Sequence, residues 1–102
     1  MNLSSLSEFA LQVLELLPVR PLGVSVRELA IELRGDIRRR TQRSVLVALR
    51  EIAGALNIKN LLVENRYDEF ARKLPVWCYG LPAEAMPEIR EFFKRRKVAR
   101  AA

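Results

Sequence analysis

Three amphipathic segments, separated by Pro18 and Gly35, fill residues 5–56, and no other feature restricts the fold as tightly. In the first, Leu6, Phe9, Ala10, Val13, Leu14 and Leu17 recur at intervals of three and four, which places them on one stripe of a helix. Ser5 and Glu8 have capping-box spacing, so a helix is predicted over residues 5–17. Pro18 ends it, because a proline pushes the preceding residue out of helical backbone. In the second segment, Val26, Leu29, Ala30 and Leu33 form the stripe. Ser25 and Glu28 repeat the cap spacing, Val24 is placed to staple against Leu29, and Gly35 suits a left-handed terminal cap. In the third, Val45, Leu46, Leu49, Ile52, Ala53 and Leu56 share a face. Its start is open: Asp36 caps a helix from Ile37, or Thr41 caps one from Gln42. Gly54 marks its end or a frayed last turn.

Strands follow. A short one fits residues 23–25, a second fits the β-forming run of residues 58–64, and a third fits residues 76–79, opened by Pro75 and closed by Gly80. The stretch between the last two is long for a hairpin loop and carries Arg66, Arg72 and Lys73. Pro87 suits the first position of a final helix, with Ile89, Phe92 and Phe93 on a narrow apolar face and a frayed tail from Lys94.

A chain of 102 residues is one domain, and half of its residues are apolar. That length buries roughly two-thirds of the unfolded surface, enough for a core without staples. None is on offer: Cys78 is the single cysteine and histidine is absent. No internal disulfide and no multi-cysteine zinc site can form, and the commonest general base is missing. Glu28 and Glu32 lie one turn apart on a surface face, and Cys78 has no imidazole to activate it. No glycine-rich phosphate loop occurs. Neither an enzyme nor a metal or cofactor is expected. No run of about 18 apolar residues suggests a membrane span, and no secretory signal is read at the start.

The net charge of +6 is concentrated in two places. Residues 34–50 hold six arginines against Asp36, and residues 94–102 hold Lys94, Arg95, Arg96, Lys97 and Arg100 without an acid. The rest of the chain is mildly acidic. Two basic blocks on an acidic background form an electrostatic footprint for a polyanion. At 100° per residue, the third helix turns Arg40, Arg43, Val47, Arg50 and Glu51 away from its apolar stripe, with Ser44 beside them.

The order helix, strand, helix, helix, strand, loop, strand, helix is that of a winged helix-turn-helix, an α+β and mainly α architecture. The expected units are residues 1–82, the three-helix core with its two- or three-stranded wing, and residues 83–102, an extra C-terminal helix and basic tail. The chain resembles the N-terminal module of bacterial WYL-domain transcription regulators and DeoR-type repressors over roughly residues 8–81. Val13, Leu14, Leu16 and Leu17 running into Pro18 match the family's first helix. Glu28, Leu29, Ala30 and Leu33 match its second, and Arg40, Thr41, Leu46 and Leu49 its third. Trp77, Cys78, Tyr79, Gly80 and Leu81 are similar to its wing. The turn between the second and third helices reads about two residues longer than the family's, and Val45 replaces an acidic residue. The family's sensor domain is not among these residues, so ligand sensing is not carried over.

A helix-turn-helix places its second helix in the major groove of double-stranded DNA. The expected base contacts are Arg40, Arg43, Ser44 and Val47, since a guanidinium can bond a guanine edge twice and an apolar side chain suits a thymine methyl. Arg38, Arg39, Thr41 and Arg50 are expected on phosphates, and Arg66, Arg72 and Lys73 on the wing. Ile89, Phe92 and Phe93 are expected at a homodimer interface. The reading is a cytoplasmic, nucleoid-associated transcription regulator of bacterial or phage type, taken as a repressor. The alternative is a winged-helix assembly module whose arginines meet an acidic protein partner.

Overall fold

The computed structural model of the chain describes residues 2–66 and 76–101. A 3-10 turn at Leu3–Ser5 leads into α1 (Glu8–Leu16), then β1 (Val24–Ser25), α2 (Val26–Arg34) and α3 (Arg39–Ala55). Next come β2 (Leu62–Arg66), β3 (Val76–Tyr79), a 3-10 turn at Ala83–Ala85 and α4 (Met86–Ala101). The architecture is α+β and mainly helical, with one small antiparallel sheet.

The three apolar stripes meet as expected. Ala10, Val13 and Leu14 of α1, Leu29 and Ala30 of α2, and Val45, Leu49 and Ile52 of α3 form one buried cluster. Removing a side chain such as Leu14 or Ile52 from water is worth on the order of 2 kcal/mol. The first helix starts later than its spacing suggested. Ser7, not Ser5, is the cap: its hydroxyl accepts the Ala10 amide at 3.2 Å, while Ser5 sits in the 3-10 turn. Ser25 caps α2 through the Glu28 amide, as expected, and Gly35 closes it at φ 70°. The segment joining α1 to β1 contains a cis Arg20–Pro21 bond.

The sheet order is β1-β3-β2, both pairings antiparallel, so the last strand of the chain is the central one. Val63 is bulged out, between the Leu62–Tyr79 and Glu64–Cys78 pairs. Gly80 is a close approach: a Cβ there would press on the Leu22 carbonyl oxygen and meet Val63 Cγ2 at 3.0 Å.

α4 includes Met86, which puts Pro87 second; the amides of a first turn need no helical partner in any case. The helix continues through Lys94 to Ala101 rather than fraying, on strong helix formers and a Glu91–Arg95 pair one turn apart. Ile89 is only 3% exposed and belongs to the core of its own chain, so it is not free for a dimer interface. Phe92 and Phe93 stay half-buried, edge to face at 5.6 Å. Arg96 reaches back to Glu8 at 3.2 Å, tying the far end of α4 to the start of α1.

Candidate nucleic-acid interface

The turn between α2 and α3 is residues 35–38, four residues with a glycine at its head. α3 begins at Arg39, between the two starts the sequence offered at Ile37 and Gln42. Its cap is unconventional. Arg38 occupies the cap position and offers no side-chain bond. Asp36, two residues outside, supplies the acceptor instead: Oδ1 takes the Arg38 amide at 3.1 Å and the Thr41 hydroxyl at 2.6 Å. Gln42 Nε2 donates to the Ile37 carbonyl at 2.6 Å. The Thr41 hydroxyl, then the Arg38 amide, hold the Asp36 carboxyl below the usual aspartate range, helped by the charges of Arg38 and Arg34. A carboxylate at a helix N-terminus also complements the helix dipole.

This locked turn aims the start of α3. Arg38, Arg39, Arg40, Arg43 and Arg50 are exposed. Among the described residues, none of the five guanidiniums lies within 4.0 Å of a carboxylate. The two acids nearest them in the sequence make hydrogen bonds to other side chains. Asp36 is held by the turn, and Glu51 accepts the Ser7 hydroxyl from α1 at 3.0 Å. Val47 lies among the arginines at 50% exposure. Arg34, by contrast, is stacked over the Phe9 ring at 4.9 Å.

Two expected contacts take other duties. Thr41 is half-buried and spends its single hydroxyl proton on Asp36, so it positions the turn and has none left for a phosphate. Ser44 donates to the Arg40 carbonyl at 3.1 Å and must release that bond to donate to a base. The main chain of Arg66 ends β2; its side chain, Arg72 and Lys73 lie outside the described residues.

Sequence reasoning missed the Asp36–Thr41 lock and the Ser7–Glu51 bond. An aspartate five residues before a threonine is no recognised cap pattern, and the Ser5–Glu8 spacing drew attention from Ser7. Among the described residues no helix is long and apolar enough to cross a membrane, and no group of three His, Cys, Asp or Glu could hold a metal ion. The chain matches no family model, no curated protein and no solved structure.

Proposed function

We propose that the chain is a winged helix-turn-helix protein that binds double-stranded DNA by inserting α3 in the major groove. One observation carries this reading: among the described residues, five exposed arginines on and before α3 have no carboxylate within ion-pair distance, while Asp36 accepts the Thr41 hydroxyl and Glu51 the Ser7 hydroxyl. A face kept cationic in this way is suited to phosphate and to guanine edges. Arg40, Arg43 and Val47 read bases; Arg38, Arg39 and Arg50 grip phosphates. Regulation is by occupancy, with a promoter blocked while the helix is seated. Two copies joined through the outer side of α4, at Phe92 and Phe93, would read a palindrome.

The test is selection from a random-sequence duplex pool at near-physiological salt, with an Arg40→Ala/Arg43→Ala control. An enriched motif lost in the control supports the reading. With six phosphates neutralised, log affinity falls against log salt with a slope of about −5. Salt-sensitive binding without enrichment means a non-specific DNA binder. No binding at all turns the arginine face toward an acidic protein partner and ends the regulator reading.

A further inference from the structure

Gly54 is a residue without an evident structural duty. It does not end α3. That helix ends at Ala55, with Gly54 in its last turn. It is closed beyond the Leu56 cap by Asn57, whose φ of 59° is left-handed, with the Ile58 amide bonded to the Ala53 carbonyl and the Asn57 amide to the Gly54 carbonyl. These are the two bonds of a Schellman closure, with asparagine in the place glycine usually takes. Gly54 is therefore an ordinary helical residue, at a cost of about 1 kcal/mol against alanine. Packing does not require it either, since a Cβ there would meet nothing within 4 Å.

What Gly54 does is line a cleft of about 350 Å³ between the second half of α3, the segment after it and β3. Leu49, Ala53, Ile58 and Leu61 form its apolar floor, the closure bringing Ile58 back against the helix. Arg50 and Lys59 also line it, exposed and, among the described residues, without a carboxylate partner. Leu46, Asn60 and Tyr79 complete the lining. An apolar floor with a few convergent polar groups and a volume of this order is the usual build of a small-molecule site.

We propose that this cleft binds a small amphipathic carboxylate, its apolar body over the bare backbone of Gly54 and its charge between Arg50 and Lys59. The binding itself stands apart from the DNA reading. One consequence rests on that reading: Arg50 cannot serve ligand and phosphate at once, so an occupied cleft weakens DNA binding.

The experiment titrates the full chain with 4-phenylbutyrate and, in parallel, with neutral 4-phenylbutanol, following backbone amide resonances. The expected result is saturable shifts at Leu49, Gly54, Ile58 and Leu61, with the alcohol about tenfold weaker. Gly54→Leu, which improves helix propensity while filling the cleft, abolishes binding without lowering Tm. Arg50→Met weakens the carboxylate about tenfold and leaves the alcohol unchanged. No shift at these residues, equal binding of acid and alcohol, or binding that survives Gly54→Leu overturns the proposal. In a second arm, saturating 4-phenylbutyrate lowers affinity for the selected duplex in the native chain and not in Arg50→Met. An effect of equal size in both proteins overturns the coupling. A chain that binds the acid but no duplex sinks the DNA reading and leaves the cleft assignment intact.

Discussion

The Ser7 hydroxyl accepts the Ala10 amide and donates to Glu51 Oε2 at 3.0 Å, so one side chain both caps α1 and fastens it to α3. Ser7→Ala removes both bonds. The expected loss is about 1 kcal/mol, the usual worth of an N-cap, read as a lower urea midpoint with an unchanged slope. A substitution at Ser5, in the 3-10 turn, is expected to cost less.

Asp36 makes the α2–α3 turn sensitive to acid. Its carboxyl titrates below the ordinary aspartate value of 3.8 because the charged form accepts the Thr41 hydroxyl and the Arg38 amide. A depressed folded value means the stabilisation is complete above 3.8 and is lost as pH falls through the lower folded value. Asp36→Asn is therefore expected to be less stable than the native chain at pH 7. The gap should close progressively below pH 3.8, seen by urea unfolding at a series of pH values. A gap constant with pH would show that the charge contributes nothing.

Two glycines should respond in opposite directions to the same change. Gly54→Ala adds a methyl group into open space on a helix, and a gain of about 0.5–1 kcal/mol is expected. Gly80→Ala drives a Cβ into the Leu22 carbonyl and Val63, and a loss of about 1–3 kcal/mol is expected. Thermal unfolding of the pair checks both signs at once.

The helices and β3 were legible because each carries its own local signal, whereas β2 lies at Leu62–Arg66 rather than at residues 58–64, since Ile58 is drawn into the closure of α3. Ser25 and Gly35 bracket α2, the β-forming run of Val76, Trp77, Cys78 and Tyr79 is β3, and the apolar stripes of α1, α2 and α3 are buried as their periods require. What escaped were features set by partners distant in the chain. Ile89 shows the same period whether it packs on its own core or on a second molecule. The start of α3 depends on Asp36, which lies outside the helix and bonds across five residues. At the other end of α3, Gly54 does lie in the last turn, but the left-handed residue that closes the helix is Asn57, where glycine is the commoner choice. For the site, an exposed face was readable from periodicity. That Thr41 turns inward to Asp36, and that Glu51 accepts the Ser7 hydroxyl, required the fold.

Arg43 tests the assignment of roles within α3. Arg43→Ala is expected to cost about 1–3 kcal/mol on the selected duplex and to relax preference at one base position. Arg39→Ala is expected to weaken every duplex alike and to reduce the salt slope by about one. Uniform loss on all sequences for Arg43→Ala would reassign it to a phosphate.

The strand order has a consequence for how the chain is made. β3 lies between β1 and β2, which do not pair with each other, yet it is synthesised after both. A nascent chain that has emerged only through residue 66 can assemble its first three helices, but both of its strands must wait with open edges. Sheet closure begins only when residues 76–79 are free to pair. A chain cut after residue 66 should keep its helices without a sheet and expose the strand edges that aggregation exploits.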